Sequence, residues 1–336
     1  MRIFIEGSIF QLQRLGGVSE YITNLASGLK KKGEDVEIVL SGPNKQGRKI
    51  PGIKTTDLYF PGEGLLSLIK KSGEFVRDQF WMKTDTGIVH ASYFEVPEKV
   101  RVPIIVTVYD LVYEKFPEMY ELPNERALAK KMKVSIENAD GVICISEAVR
   151  RDVLKTYKVD AKKVWTTRLG VSDFYKKISR NKALSLLSNY DLHNRFILYV
   201  GKRGKHKNFE VLIKAMSKRT NNLQLICAGG GEFSKDEGKM MRNLGVRKKV
   251  ILLPHPSDDE LLALYNLADA LIVTSLDEGF GLTLLEAMMC RCPVVASDIK
   301  VFREVAKGVP YYFDPTKPRS LLQRIEQRLS DRLVKN

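Results

Sequence analysis

Residues 274–297 read TSLDEGFGLTLLEAMMCRCPVVAS and combine a loop, a helix and the start of a strand. The apolar residues 270–273 come just before this stretch and predict a buried strand. The glycine-rich segment 279–281 predicts a loop, and residues 282–290 have the apolar spacing of a helix. A second apolar run over 293–296 predicts the next strand. This order is typical of a parallel sheet that is covered by helices.

The same alternation of strands and helices runs through most of the chain. Further strands are predicted at 2–6, 35–40, 88–90, 103–108, 141–145, 196–200, 223–228 and 250–253. Further helices are predicted at 17–32, 147–157, 209–216, 234–244, 258–268 and 318–334. Ser146 precedes one of these helices, and we expect its hydroxyl to cap the first turn. Between 168 and 194 the pattern becomes irregular and charged, which indicates a domain boundary. The sequence therefore predicts an α/β protein with two doubly wound parallel sheets.

The composition is that of a globular protein with a basic surface. Of 336 residues, 44% are hydrophobic and 28% are charged, which excludes a disordered or fibrous chain. No apolar run approaches the ~18 residues of a membrane span, and the start MRIFIEGSIF lacks a signal-peptide core, so a cytoplasmic protein is expected. The net charge of +15 favours phosphorylated ligands, anionic lipids or nucleic acid. No zinc finger or RNA-binding motif is present in the sequence, so we do not expect nucleic acid as a partner.

Two glutamates flank the glycine-rich loop with seven residues between them. Glu278 lies in the predicted loop, and Glu286 lies one turn into the helix that follows. Glycines allow a ligand to approach the backbone closely, and the free amides of a helix start favour phosphate. A carboxylate in the first turns of that helix can accept hydrogen bonds from ribose hydroxyls. The combination predicts a site for a sugar nucleotide.

Several segments in order resemble the retaining glycosyltransferases of family 4, which have the GT-B fold. The two glutamates match the E-x7-E signature of that family. Residues 255–282, 199–215 (YVGKRGKHKNFEVLIKA) and 223–232 (LQLICAGGGE) are similar to the family's nucleotide and phosphate loops. In the first half, 16–21 (GGVSEY), 107–120 and 139–153 resemble other family segments, particularly those of mannosyltransferase-like members. The resemblance therefore covers nearly the whole chain.

This resemblance implies two Rossmann-like domains that face each other across a cleft. Residues 1–175 would form an N-terminal acceptor-side domain, and 176–317 a C-terminal domain for the nucleotide-sugar donor. The segment 318–336 would carry a terminal helix that packs back on the N-terminal domain.

The resemblance also implies roles for individual residues. Glu278 would contact the donor sugar and Glu286 the ribose. Lys207 would stabilise the leaving diphosphate, with Lys202 or Arg203 as a second cation. The sequence does not decide between Lys202 and Arg203. The other donor-binding residues that the resemblance implies are Gly16, Gly17, His255, Gly279, Phe280, Gly281 and Leu282.

Three residues of the first domain are candidates for sugar or acceptor contacts: His90, Tyr109 and Asp110. For His90, a role as a hydrogen-bonded core residue is an equal alternative. The family commonly has His where this chain has Tyr109, which suggests a donor that is altered at C6. Thr283 replaces a usual Pro, and we expect little effect. Arg291 replaces a usual Gly and indicates either a tolerated turn or local strain.

No metal or other cofactor is expected at the site. The sequence contains no D-x-D tripeptide, and its four histidines and four cysteines do not have metal-ligand spacing. Fixed positive charge on Lys207 and its neighbour would replace a metal at the diphosphate. The mixed basic and apolar segment 64–81 is the candidate for contact with an anionic membrane surface.

The sequence thus predicts a retaining hexosyltransferase of cell-surface polysaccharide synthesis. Its donor would be GDP-mannose or a UDP-sugar, and its acceptor a glycan or a lipid-linked glycan. The enzyme would be cytoplasmic. If segment 64–81 binds lipid, the enzyme would attach peripherally to the inner face of the membrane. Two alternatives stay open: a non-catalytic sugar-nucleotide-binding partner of another transferase, and a sugar-nucleotide epimerase.

Overall fold

The computed structural model describes residues 1–12, 16–40, 50–58, 79–94, 96, 100–190, 195–218 and 223–334. The chain divides into two compact units, Met1–Leu169 and Gly170–Asn336. This division falls a few residues before the boundary at 175 that we expected. Segment 64–81, the candidate for membrane contact, lies outside the described residues except for its last three.

The first unit is built on a seven-stranded parallel sheet in the order β3-β2-β1-β4-β5-β6-β7. The strands are β1 (Arg2–Glu6), β2 (Asp35–Leu40), β3 (Lys54–Asp57), β4 (Ile88–Ala91), β5 (Ile104–Val108), β6 (Gly141–Cys144) and β7 (Val164–Thr166). The helices described between them are α1 (Ser8–Leu12), α2 (Gly17–Lys31), α3 (Val112–Lys115), α4 (Pro123–Asn138) and α5 (Glu147–Thr156). The central strand β1 is buried along its length except at Arg2.

The second unit contains a six-stranded parallel sheet in the order β10-β9-β8-β11-β12-β13. Its strands are β8 (Phe196–Val200), β9 (Gln224–Ala228), β10 (Val250–Leu253), β11 (Ala270–Val273), β12 (Val294–Ser297) and β13 (Tyr311–Phe313). The helices are α6 (Arg180–Leu186), α7 (Phe209–Ser217), α8 (Lys235–Asn243), α9 (Asp258–Leu267), α10 (Leu282–Met289), α11 (Lys300–Ala306) and α12 (Pro318–Val334).

Both sheets have the doubly wound order that the sequence predicts, and serine caps start several of the helices. The hydroxyl of Ser146 accepts a hydrogen bond from the Val149 amide at 3.1 Å, which confirms the expected cap of α5. Ser234 and Ser257 cap α8 and α9 in the same way, each with a glutamate that completes a capping box. These caps satisfy amides that a helix start otherwise leaves unpaired.

Three strands that the sequence pattern did not predict all lie at sheet edges. They are β3 (KTTD), β7 (VWT) and β13 (YYF), each three or four residues long. Edge strands are half covered, so they need no long apolar run. Their short and mixed sequences therefore carry no clear strand signal.

The terminal helix α12 corrects an expectation. We expected it to pack back on the N-terminal domain. Its apolar residues Leu321, Ile325 and Leu329 lie instead in the core of the second unit, with residues of α7 and β13. The apolar positions recur every three or four residues, so one face of the helix is buried against its own sheet.

The strand order of the second sheet identifies where a ligand would bind. The chain order changes direction between β8 and β11, which lie side by side. In doubly wound sheets, ligands bind outside the carboxyl ends of the strands at such a switch point. The loops that follow β8 and β11 are residues 201–208 and 274–281, the two segments that the sequence singled out.

Candidate functional site

Two loops at the carboxyl edge of the second sheet are joined by hydrogen bonds. The Thr274 hydroxyl donates to the Lys207 carbonyl at 2.7 Å, and the Leu276 amide donates to the His206 carbonyl at 2.8 Å. The loop after β8 is therefore held against the loop after β11 through its backbone. This arrangement brings together side chains from residues 202–207 and 274–286.

Lys207 and Glu278 form an ion pair at the centre of this arrangement. The Lys207 Nζ lies 2.6 Å from Glu278 Oε1, which also accepts a 2.7 Å hydrogen bond from the Ser275 hydroxyl. The lysine side chain is 28% exposed and the glutamate side chain 19%, so solvent reaches both. Burial by itself raises the pKa of Glu278, but the charge of Lys207 and the hydrogen bonds of Lys207 and Ser275 lower it overall. Glu278 is therefore held as a carboxylate.

The neighbouring His206 is neutral at pH 7. Burial, together with the charge of Lys207, lowers the pKa of His206 to about 4. A neutral imidazole adds no charge at the site. The positive charge of this turn therefore comes from its lysines.

Glu286 projects from α10, one turn past its start, and its side chain has one buried hydrogen-bond partner among the described residues. The Tyr265 hydroxyl of α9 donates to Glu286 Oε2 at 2.8 Å, and Tyr265 is fully buried. Burial raises the pKa of Glu286, and the hydrogen bond from Tyr265 offsets this only in part. The contact fixes the carboxylate where vicinal hydroxyls of a ligand could replace water as its donors.

The segment between the two glutamates adopts a conformation that requires glycine. Gly281 has a φ of 98°, and a Cβ there would lie 2.8 Å from a ring carbon of Phe302. Phe280 is 5% exposed and packs inward, and Leu282 begins α10. The first amides of α10 therefore start directly beside Glu278, as a phosphate or sugar site requires.

The structure distinguishes Arg203 from Lys202, the two candidates for the second diphosphate cation. Arg203 is buried, and its guanidinium binds Glu237 Oε1 (3.1 Å) and the carbonyls of Gly229 (2.9 Å), Gly231 (2.9 Å) and Glu232 (2.8 Å). These contacts hold the glycine turn after β9 and leave no free face for a ligand. Our expectation of Arg203 as a second diphosphate cation is thus corrected to a structural role.

Lys202 occupies the other position and is exposed. Its carbonyl accepts a 2.7 Å hydrogen bond from the Tyr199 hydroxyl, which fixes the backbone at the start of the loop. The side chain is thus anchored at one end and open to solvent at the other. Lys202 is the residue of this pair that can reach a ligand.

Three further donor candidates lie at strand or helix ends and are exposed. His255 follows β10, at the same edge of the sheet as the Lys207 loop. Gly16 and Gly17 begin α2 in the first unit, where the Gly16 carbonyl accepts the Glu20 amide at 3.0 Å. A Cβ on Gly17 would meet no described heavy atom within 4 Å. Packing among the described residues therefore gives no reason for glycine there.

His90 is a core residue in the structure, which decides between the two alternatives that the sequence left open. It lies in β4, is 5% exposed and shares a 2.8 Å hydrogen bond with the Thr107 hydroxyl. Burial lowers the pKa of His90 to about 4, so the imidazole is neutral. The candidate role of His90 as a ligand contact is thus replaced by a structural one.

Tyr109 lies in a group of tyrosines next to the carboxyl ends of β4 and β5. Its hydroxyl donates to the Ser92 carbonyl at 2.9 Å, and its ring contacts Tyr21 and Tyr93. Tyr109 is 7% exposed, so its hydroxyl is directed inward rather than presented to a ligand. Asp110 caps the next turn by accepting the Val112 amide at 3.2 Å. The partly exposed members of the group are Tyr21, Tyr93 and Tyr113.

Sequence reasoning did not single out Ser275, Thr274 or Tyr265, although each one positions a site residue. Ser275 and Thr274 follow directly on β11 beside the glutamate signature, so their place next to a candidate carboxylate was a usable signal. Tyr265 lies within the apolar pattern of α9, and that pattern predicts only a core residue. Its contact with Glu286 spans 21 residues, and no local pattern shows it.

No group of three His, Cys, Asp or Glu side chains that could hold a metal ion occurs among the described residues. Within the same part of the chain, no helix has the length and apolar character needed to cross a membrane. The net positive charge of the Lys207 loop is the feature at this site that suits an anionic ligand.

Comparisons with protein families match both units. The family described as glycosyl transferases group 1 matches residues 188–336, and glycosyltransferase family 4 matches residues 15–173. The O-antigen chain mannosyltransferase RfbU of Salmonella typhimurium is 32% identical over 201 residues, which cover 58% of this chain and 54% of RfbU. The match therefore spans about half the length of that relative.

A second relative and a solved structure extend the match. O-antigen chain mannosyltransferase B of Escherichia coli is 27% identical over 263 residues, covering 76% of this chain and 69% of the relative. The structure of Anabaena HepE in complex with UDP-glucose superposes with a TM-score of 0.77 at 19% identity, covering 99% of this chain and 91% of HepE. At this identity the likeness shows the fold, which is GT-B.

Proposed function

Because the chain belongs to glycosyltransferase family 4, as a mannosyltransferase-like member, we propose that it transfers a hexosyl unit from a nucleotide-diphosphate sugar to a hydroxyl group, with retention at the anomeric carbon. The observation that carries the proposal is the Lys207–Glu278 pair at the switch point of the second sheet. Glu286 lies on the helix that starts beside this pair. The site thus offers a cation, two carboxylates and free helix amides to one ligand.

In this proposal, Lys207 and Lys202 stabilise the leaving diphosphate. Cleavage of the sugar–phosphate bond concentrates negative charge on the β-phosphate, and fixed cations lower the energy of that transition state. The ammonium group of Lys207 has three N–H donors, so it can keep its bond to Glu278 and still contact a phosphate oxygen. No metal ion is needed for this neutralisation.

Glu278 and Glu286 bind the two ends of the donor. Glu278 accepts hydrogen bonds from the sugar hydroxyls, and Glu286 accepts them from the ribose. Glu278 is held by Lys207 and Ser275, which makes it an orienting group rather than a free nucleophile. We therefore propose a front-face transfer in which the leaving phosphate takes the proton of the acceptor hydroxyl.

The donor and acceptor are proposed from the named relatives. Both cited relatives act as O-antigen mannosyltransferases, which supports GDP-mannose as the donor, whereas HepE binds UDP-glucose. A glycan or lipid-linked glycan of a cell-surface polysaccharide is the acceptor class that fits these names. Tyr93 and Tyr113, near Asp110 in the first unit, offer aromatic and polar groups for such a glycan.

The test is to incubate the protein with UDP-, GDP- and dTDP-sugars and to measure the nucleoside diphosphate that is released. Lys207→Gln and Glu278→Gln are compared with Lys218→Gln, which removes an exposed cation outside the site. We expect release from one donor, lowered about 100-fold or more in the two site variants and unchanged in the control. Thermal-shift binding of the same panel accompanies the assay.

Four results would argue against this function. Loss of release in Lys218→Gln to the same extent would show an unspecific effect of charge. A new donor isomer formed without acceptor would indicate an epimerase. Donor binding without release, even with acceptor glycans present, would indicate a non-catalytic binding partner. Absence of both binding and release would contradict the donor site itself.

A further inference from the structure

A cavity lies in the second unit, at the edge of the sheet opposite to the donor loops. Its volume is about 400 Å³. Its wall includes Ala268 and Pro293, which come immediately before β11 and β12. These strands are parallel, so their amino ends lie away from the carboxyl ends that carry the loops of Lys207 and Glu278. The cavity therefore lies away from the Lys207 and Glu278 loops, and Tyr265, which holds Glu286, is the residue that its wall shares with the proposed donor site.

The wall of this cavity is strongly cationic. Its basic residues are Lys177, Arg180, Arg291 and Arg328, and no Asp or Glu contributes to the lining. Within the described part of the chain, none of these four side chains forms an ion pair with a carboxylate. Among the described residues, the hydrogen-bond partner of the Lys177 Nζ is a backbone oxygen, that of Asn266 at 3.5 Å. Four cations around one cavity repel each other unless an anion lies between them.

Arg291 occupies a position where the backbone favours glycine. It follows the end of α10 with a φ of 56°, in the left-handed region. The Cys292 amide donates to the Ala287 carbonyl at 2.8 Å and the Arg291 amide to the Met288 carbonyl at 2.9 Å, which is the Schellman pattern. A left-handed residue is common at such a helix end, but it is usually glycine, so an arginine here is unusual. The side chain of Arg291 lies in the cavity wall. This helix end therefore places a cation, rather than a glycine, beside the cavity.

Arg328 contributes the fourth basic side chain of the cavity wall. It projects from α12 into the wall, and its Nε atom is buried with no hydrogen-bond partner among the described residues. Buried guanidinium donors in proteins almost always have an acceptor. Because Nε is buried, a ligand in the cavity does not reach it, and the contact of Arg328 with the cavity is made by other atoms of the side chain.

We propose that this cavity binds a phosphate-bearing ligand. Phosphate oxygens accept several charge-assisted hydrogen bonds at once, and guanidinium groups match their geometry. The volume is at the lower end for small-molecule sites, which suits a ligand the size of pyrophosphate or a sugar phosphate. Ser179 and Asn266 add polar groups to the wall, so the rest of such a ligand also finds hydrogen-bond partners.

The test is isothermal titration of the full-length protein with inorganic pyrophosphate. Arg291→Gly removes one wall cation and relieves the strained backbone, so folding is preserved. Arg180→Gln removes an exposed wall cation. The matched control is Lys307→Gly, because Lys307 also has a positive φ (52°), is exposed and does not line the cavity. Lys207→Gln reports binding at the donor loop instead.

We expect each wall variant to weaken pyrophosphate binding about tenfold or more, whereas Lys307→Gly and Lys207→Gln retain it. Vesicles of phosphatidylcholine with phosphatidic acid test the lipid source of the same group. Vesicle binding that needs Arg180 and Arg291 would assign a lipid headgroup, and pyrophosphate binding alone a soluble ligand. The proposal is overturned if pyrophosphate does not bind, if binding is unchanged in both wall variants, or if only Lys207→Gln abolishes it.

Discussion

At the scale of single residues, Gly281 and Gly17 show two different reasons for a glycine at a candidate site. Gly281 is required by the fold, since its φ of 98° and the nearby Phe302 ring exclude a side chain. Packing among the described residues does not require Gly17, because a Cβ there would meet none of their heavy atoms within 4 Å. An unneeded glycine at a helix start is consistent with a ligand that approaches the backbone.

Gly17→Ala therefore tests the first unit's part in donor binding. We expect an unchanged or slightly higher free energy of unfolding, because alanine is the better helix former by up to about 1 kcal/mol. In the proposed function Gly17 binds the donor diphosphate through its backbone, so a methyl group there should block the approach and lower donor affinity. Urea denaturation and nucleotide-sugar titration measure the two effects. Unchanged donor affinity would remove Gly17 from the site.

Glu286→Gln should also change stability and donor binding in opposite directions. Burial raises the pKa of Glu286, so its ionised form destabilises the fold at neutral pH. A neutral glutamine keeps the acceptor for the Tyr265 hydroxyl and removes that penalty. We expect a higher Tm at pH 7 but donor affinity about tenfold lower, because hydrogen bonds from ribose to a charged acceptor are lost.

The pH dependence of that gain has a definite sign. A carboxyl group with a raised pKa is penalised only when it is ionised. The Tm difference between Glu286→Gln and the wild type should therefore be present at neutral pH and vanish below pH ~4, where the wild-type carboxyl is protonated in both states. A difference that persists there would assign the effect to packing.

At the scale of elements, adjacent residues of one loop have opposite functions. Arg203 faces inward and holds the turn after β9, whereas Lys202 faces solvent. The sequence could not assign them, because the two cations are neighbours in a basic run. The deciding contacts lie 26 to 34 residues away along the chain.

Methionine at each position distinguishes the two roles. Arg203→Met should lower the free energy of unfolding by about 3 kcal/mol, because it leaves Glu237 and several carbonyls without a buried partner. Lys202→Met should change stability by less than about 0.5 kcal/mol but lower kcat about tenfold to a hundredfold. Denaturation curves and initial rates on one set of samples provide the comparison. Equal stability of the two variants would contradict the structural role of Arg203.

Most elements that position the site were predictable, for a physical reason. Buried parallel strands such as β8 and β11 are short apolar runs, and the helices after them have clear apolar periodicity. Helix α12 shows the limit of this reasoning. Its apolar periodicity predicted a helix with one buried face. The periodicity does not show which surface of the protein covers that face. The same holds for His90, whose burial depends on strands on both sides.

At the scale of the whole molecule, the net charge of +15 bears on the choice of partners. Among the described residues, helix α4 displays Lys130, Lys131 and Lys133 beside Val134, which is 57% exposed. Such a surface attracts anionic lipid through charge and a limited apolar contact. We propose that the protein attaches peripherally to anionic membranes.

Sedimentation with vesicles tests this attachment. Binding to vesicles that contain phosphatidylglycerol should be measurable at low salt and should weaken strongly at physiological ionic strength, where the Debye length is about 8 Å. Neutral phosphatidylcholine vesicles are the control and should not bind. Equal binding to both kinds of vesicle would show that charge is not the cause.

The backbone bonds between the two donor loops have a further consequence for hydrogen exchange. The Leu276 amide lies outside any helix or strand, yet it donates to the His206 carbonyl at 2.8 Å. Amides in ordinary surface loops exchange with deuterium quickly, because local opening costs little. For Leu276, exchange requires separation of two loops that are anchored on adjacent buried strands. This amide should therefore exchange as slowly as those of β8 and β11, and the site should remain assembled between turnovers.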